Sequence, residues 1–262
     1  MTDDAAPQLT ITVLSAPDKD NPFAVIRKPS GLPSAPLSET DRFNAYTAAA
    51  ELFPELDCVC GVKPVEHGLM HRLDTVTDGL LVIAATAQAY EALRAAQRGG
   101  RFIKTYRAAC DINDPQQTAP GFPALPAAAL ERDRLCSGQA VTVRSRFRFY
   151  GNGRQAVRPV TESDGMAALK KAAPGIYTTS IQQTGAQEQN LMQVRCIIDA
   201  GFRHQVRCHL AWLGLPVHGD PVYNPAYTQG QQCCFTACAV EFPHPLTGET
   251  VTVSLDDTQK FI

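Results

Sequence analysis

Two histidines, an arginine and an aspartate fall within eight residues at His67-Gly68-Leu69-Met70-His71-Arg72-Leu73-Asp74, and an apolar segment of strand length follows at residues 80–85. Ionisable side chains at the mouth of a buried strand are where scaffolds hold reactive groups, and the same pattern also fits a charged turn leading into a core strand. His67 and His71 have the four-residue separation of a helical metal pair. The glutamate of H-E-x-x-H is missing, however, and Gly68 would sit inside the supposed helix, which argues against a metal-dependent hydrolase. Cys58 and Cys60, and the group Cys233, Cys234 and Cys238, lack the paired C-x-x-C spacing of structural zinc sites. No metal site is expected.

A second kind of chemistry is anion binding. Residues 141–150 alternate, with Val141, Val143, Ser145, Phe147 and Phe149 on one side and Thr142, Arg144, Arg146 and Arg148 on the other. Seven arginines fall between residues 132 and 158 against one acid, Asp133. The row is either a solvated sheet face or a surface for phosphate, whose oxygens suit the arginine fork. A helix over residues 203–213 would bury Val206, Leu210 and Leu213 and set Arg203 beside Arg207, four residues on. Such a pair is either two solvated arginines or another anion contact.

The elements that must position these residues are short strands with few helices between them. Strands are predicted at residues 23–26, 80–85, 102–109, 141–150, 176–184, 191–198, 235–240 and 250–255, with helices near 43–53, 87–98 and 203–213. Strand following strand predicts an α+β fold, a largely antiparallel or mixed β-sheet flanked by helices and loops. A polar tail is expected over residues 1–20, then a single domain over 21–262 with a flexible insertion near 111–129, where proline, alanine and glutamine accumulate.

With 262 residues and 44% apolar content the chain can build a sizeable core. Nine cysteines at irregular spacings do not read as a disulfide framework, and the first twenty residues lack the pattern of a secretory signal, so a reducing cytoplasm is the expected compartment. No apolar run approaches membrane-spanning length. A formal net charge of −2 argues against indiscriminate coating of nucleic acid and leaves room for a local basic face.

Several motifs now line up in order. They are Arg27-Lys28-Pro29-Ser30-Gly31-Leu32, His71-Arg72-Leu73-Asp74 with Thr77 and Gly79-Leu80-Leu81, and Lys104-Thr105-Tyr106. After them come Gly201 with His204-Gln205-Val206-Arg207-Cys208-His209-Leu210, then Gly219-Asp220-Pro221-Val222-Tyr223 and a closing Phe242-Pro243-His244-Pro245-Leu246-Thr247-Gly248-Glu249. Together, over roughly residues 21–255, they resemble the RluA family of RNA pseudouridine synthases. The resemblance implies isomerisation of specific uridines in a structured RNA, rRNA or tRNA, with Asp74 as the catalytic carboxylate. Cleavage of the bond between N1 and C1′ leaves the sugar electron-deficient, and a carboxylate traps or stabilises it. The freed base then rotates and reattaches through C5.

By the same resemblance Arg207 is the cation that keeps Asp74 ionised, worth about 4 kcal/mol at an effective dielectric near 20 before desolvation. Tyr106 matches the family's active-site tyrosine, suited to stacking on uracil and to proton transfer. The target must be flipped out of its stack, which makes His71 and Arg72 candidates to fill the gap or hold its phosphate. Arg203 is a further candidate phosphate contact, although the family more often has arginine where this chain has Phe202. Asp78 stands where the family usually has serine, and Ala85 where a lysine often follows the strand. Because the chain starts almost directly at the catalytic domain, RNA grip is expected from that domain, including Arg144, Arg146 and Arg148. The reaction is redox-neutral and calls for no cofactor. No obligatory protein partner is indicated, and a monomer is expected. Two other readings share these residues: an RNA-binding protein without catalysis, and an N-glycosidase that releases the base.

Overall fold

The computed structural model describes residues 9–113, 122–123, 128–185 and 190–255. In chain order the elements begin with β1 (Thr12–Ser15), β2 (Phe23–Lys28), α1 (Ala45–Leu52), β3 (Asp78–Ala84) and α2 (Ala87–Arg98). Next come β4 (Ile103–Asp111), α3 (Ala128–Cys136), β5 (Val141–Tyr150), β6 (Ala156–Val160), α4 (Met166–Lys171), β7 (Tyr177–Gln183), β8 (Leu191–Ile198) and α5 (Gln205–Trp212). The last are β9 (Phe235–Pro243) and β10 (Thr250–Ser254). Two compact units result. One contains the chain up to Phe102 together with Ala237–Leu255, and the other contains Ile103–Thr236.

In the first unit the strands run β1-β2-β3-β9, with β10 pairing with β9. β2 and β3 are antiparallel from Phe23 opposite Ala84 to Lys28 opposite Gly79. Both are apolar on both faces, and Phe23, Val25, Leu80 and Val82 pack with Tyr90, Leu93, Phe102 and Phe242 in one core. Asn44 caps α1 by accepting from the Thr47 N–H at 2.8 Å, and Thr86 caps α2 by accepting from the Ala89 N–H at 3.1 Å. Gly79 has φ +131°, and a Cβ there would collide with the Ala237 backbone, so only glycine lets β9 come this close.

In the second unit the order is β4-β8-β7-β5-β6, with antiparallel neighbours. Its core includes Phe147 and Val157 of the sheet and Cys208 and Ala211 of α5. The His209 ring is buried between the Ser145 hydroxyl at 2.9 Å and the Thr179 hydroxyl at 2.8 Å, which fixes α5 to one face of the sheet. Burial pushes its pKa down to about 3, leaving it neutral at pH 7.

The α+β class and the antiparallel pairing agree with the sequence reading. Three differences have physical causes. Residues 12–15, expected to be polar tail, form an edge strand, with Thr12 opposite Arg27 and Val13 opposite Ile26. β6, not anticipated because Pro159 interrupts it, is an edge strand, where a missing N–H is tolerated. The helix expected from residue 203 starts at Gln205, because His204 takes a left-handed conformation with φ 55°. Most of the expected insertion at 111–129 lies outside the described residues. Among the described residues, no helix is long and apolar enough to cross a membrane.

Candidate active site

Asp74 lies on the segment that leads into β3, and that segment is fixed by hydrogen bonds at almost every residue. Residues 68–70 run beside β3, with the Ala84 N–H donating to the Gly68 carbonyl at 2.8 Å and the Met70 N–H to Val82 at 2.9 Å. Gln97 of α2 donates to the Met70 carbonyl at 2.7 Å. The chain then leaves the strand and meets the loop after β2. Ser34 Oγ donates to the Leu73 carbonyl at 2.7 Å and accepts from the Leu73 N–H at 2.9 Å. The Thr75 carbonyl accepts from the Gly31 N–H at 2.7 Å and from Lys28 Nζ at 3.3 Å, and Ser30 Oγ donates to Val76 at 2.8 Å. A turn closes with the Thr77 N–H donating to the Asp74 carbonyl at 2.9 Å.

Lys28 holds this arrangement from inside. It is fully buried, and its ammonium also donates to the carbonyls of Pro29 at 2.9 Å and Leu32 at 2.7 Å. Burial lowers its pKa to about 8, against the opposing pull of Asp78 and then Asp74. Asp74 is thus close enough to exert its charge on Lys28, while its own side chain stays partly exposed.

Asp78 accepts a fork from Arg27, Nε to Oδ1 at 3.0 Å and Nη2 to Oδ2 at 2.6 Å. The hydrogen bond that Arg27 donates to Asp78 is the chief cause of the raised Arg27 pKa. The aspartate that replaces the family's usual serine therefore has a partner within its own unit.

His71 is half-buried, with its ring 5.6 Å from that of Phe102 in an edge arrangement. Arg72 is exposed and pairs with Glu66 at 3.0 Å. His67 stacks on Tyr46 at 5.0 Å with φ 43°, and the stretch from His67 to Asp74 is not helical.

In the second unit, Tyr106 on β4 is buried, and its ring stacks on Phe235 at 5.0 Å and 7°. Lys104, two residues earlier on the same face, is buried, and burial lowers its pKa to about 8 against Asp199. A Cβ on Gly201 would come to 3.0 Å from Lys104 Nζ, so that glycine makes room for the ammonium.

Arg207 on α5 is 2% exposed and forks onto a fully buried carboxylate, Asp220, with Nε to Oδ2 at 2.8 Å and Nη2 to Oδ1 at 2.6 Å. Asp220 Oδ1 also accepts from the Val222 N–H at 2.8 Å. The Arg207 guanidinium lies 5.5 Å over the Tyr223 ring, and Tyr223 Oη accepts from the Val157 N–H at 2.9 Å. Asp220 and Tyr223 were read from the sequence as a turn and as part of a family motif, without a role in the site. The clue was a carboxylate bracketed by glycine and proline, and Gly219 at φ 72° makes that turn possible.

The expected side-by-side pair of Arg203 and Arg207 does not form. Arg203 precedes the helix, is exposed, and donates to the carbonyls of Arg154 at 3.3 Å and Gln155 at 3.1 Å, while Arg207 is buried. The arginine row on β5 has the expected alternation, with Arg144 exposed and Arg146 and Arg148 half-buried. Arg146 donates to the Pro174 carbonyl. Through the register Tyr106–Cys196–Ile181–Val141, Tyr106 shares a sheet face with Ser145, which touches α5 through His209. Arg144, Arg146 and Arg148 project from the opposite face.

These features place the chain in a known class. The family model for RNA pseudouridylate synthase matches residues 22–212, and the chain belongs to that family. An uncharacterized RNA pseudouridine synthase of Chloroflexus aurantiacus is 32% identical over 198 residues, covering 76% of this chain and 51% of that protein. The chain thus spans about half the length of that relative. The dual-specificity RNA pseudouridine synthase RluA of Haemophilus influenzae is 27% identical over 236 residues, covering 89% of both chains. The solved structure of human RNA pseudouridylate synthase domain containing 1 superposes with a TM-score of 0.63 over 95% of this chain and 84% of that one, at 18% identity, which supports the fold.

Proposed function

We propose that this protein is an RNA pseudouridine synthase that isomerises uridines in structured RNA, with Asp74 as its catalytic carboxylate. The observation that carries this reading is the Asp74 segment, whose backbone is hydrogen-bonded at Leu73, Asp74, Thr75 and Val76 inside the family's matched span. A preorganised backbone holds the carboxylate in place without consuming its charge. The carboxylate then acts at C1′ as the bond to N1 breaks, the uracil rotates, C1′ bonds to C5, C5 gives up its proton and N1 takes one up. The product is an isomer of the substrate, so atoms and electrons balance.

Tyr106 serves as the aromatic partner of the base, and Arg207 as the charge that favours the ionised carboxylate. His71 and Arg72, which flank the carboxylate in sequence, contact the RNA around the flipped nucleotide. Arg203, Arg144, Arg146 and Arg148 contact phosphate. A relative named as a ribosomal large subunit pseudouridine synthase supports ribosomal RNA as a substrate, and one named as dual-specificity leaves room for a second RNA, for which transfer RNA is the candidate.

The test is nucleoside analysis of RNA incubated with the purified protein. Pseudouridine is expected, and Asp74→Asn should abolish it while RNA binding persists. Free uracil without pseudouridine would identify an N-glycosidase. Normal turnover by Asp74→Asn would remove the residue from its role.

A further inference from the structure

The second unit's sheet has a reverse face, turned away from α5 and from Tyr106, and strand register assigns residues to it. Arg107 on β4 lies directly opposite Arg195 on β8, and Arg195 opposite Gln182 on β7. Ser180 on β7 lies opposite Thr142 on β5, and Arg148 on β5 opposite Arg158 on β6. Directly paired residues point the same way, and so do alternate residues along a strand. Six arginines, 107, 144, 146, 148, 158 and 195, therefore share one face across five strands, a width of about 19 Å at the usual strand spacing. Thr142, Arg144, Gln182 and Arg195 on this face are exposed.

Two of these contacts place like charges directly across from each other, an arrangement that ordinarily destabilises a sheet. Its effect is felt at Arg158, whose pKa is lowered first by burial and then by the Arg148 charge, with Asp164 opposing. Along the five strands the acid on this face is Asp111 at the end of β4, and it is engaged by His218 at 3.0 Å and by Asn224. A sheet face this rich in arginine suits a polyanion, and the guanidinium fork matches phosphate oxygens.

We propose that the arginine face binds RNA phosphate backbone as a second surface, on the side of the sheet opposite Tyr106 and so remote from the reacting nucleotide. The proposal deepens the RNA synthase reading, on which it rests for its choice of polyanion. Each RNA is then gripped at two places, and the distal grip carries no base preference.

A fully paired G·C RNA duplex contains no uridine, so its binding reports on phosphate contacts alone. Wild-type protein should bind it with a steep salt dependence. The double variant Arg144→Ala/Arg195→Ala removes two exposed side chains, and an unchanged melting temperature checks its fold. Its affinity for the duplex should fall about tenfold at low salt, and the log–log salt slope should drop by about 1.8. An unchanged affinity and slope would overturn the proposal. So would competition by polyglutamate as effective as that by the duplex, since it would reassign the face to carboxylate-rich partners. If duplex binding behaves as expected but the wild type makes no pseudouridine in cellular RNA, the function proposed above fails while this surface stands.

Discussion

The two units fix their charged residues by opposite means. Asp74 is positioned through its main chain, by hydrogen bonds that Ser30, Gly31, Ser34 and the Lys28 ammonium make with backbone carbonyls and amides on either side of it. Arg207 is positioned through its charge, by a buried fork onto Asp220. The first arrangement fixes the backbone of a partly exposed carboxylate. The second sets a buried charge against a buried counter-charge, because each would be costly to leave buried alone. Damage to the first should therefore appear mainly in turnover, and damage to the second mainly in stability.

The largest expected effect tests the second half of that contrast. Asp220→Ala removes the fork from the buried Arg207 guanidinium and should cost about 3–5 kcal/mol in denaturant unfolding. A loss below about 1 kcal/mol would show that the fork matters little to the fold. Ser34→Ala removes both hydrogen bonds to Leu73 and should cost about 1–3 kcal/mol. The fall in kcat should exceed what the lost folded fraction explains, with RNA affinity little changed. Equal losses in both would mean that the Asp74 segment is held no differently from any other loop.

The smallest effect is a pH dependence. The folded pKa of Lys28 is about 8, below its unfolded value of 10.5. Between those values the unfolded chain binds more protons, so the Lys28 contribution to stability rises with pH across that window. A neutral amine has two N–H groups for three carbonyls, so turnover should fall as pH passes about 8. Lys28→Met should lose the stability rise. Thermal melts and rate profiles from pH 7 to 10, wild type against variant, would show whether the two trends diverge.

Much of this contrast was visible in the chain before its fold. The alternation of residues 141–150 gave β5 and both of its faces, and the apolar run after Asp74 gave β3, because period and burial are local signals. The edge strands β1 and β6 were not legible. One sits among polar residues, and the other contains Pro159, so their pairing depends on neighbours far along the chain. At the site, Asp74, Tyr106 and Arg207 came from motif order. The Asp220 fork did not, since a buried carboxylate in a Gly-Asp-Pro turn looks like ordinary turn chemistry. Nor did the reverse arginine face, because Arg107, Arg158 and Arg195 lie on three different strands and meet only through register.

β9 begins with Phe235 and Thr236 in the second unit and continues from Ala237 in the first. The first unit is therefore interrupted by the second, and its sheet lacks β9 and β10 until the second unit has been synthesised. At ordinary elongation rates that delay is on the order of ten seconds. During it β3, apolar on both faces, has no β9 to pair with, while the second unit's sheet from β4 to β8 can already close. The hydrogen-bond partners named above for the Asp74 segment all precede the second unit, so a nascent chain can set that segment early while the neighbouring β3 still waits for β9.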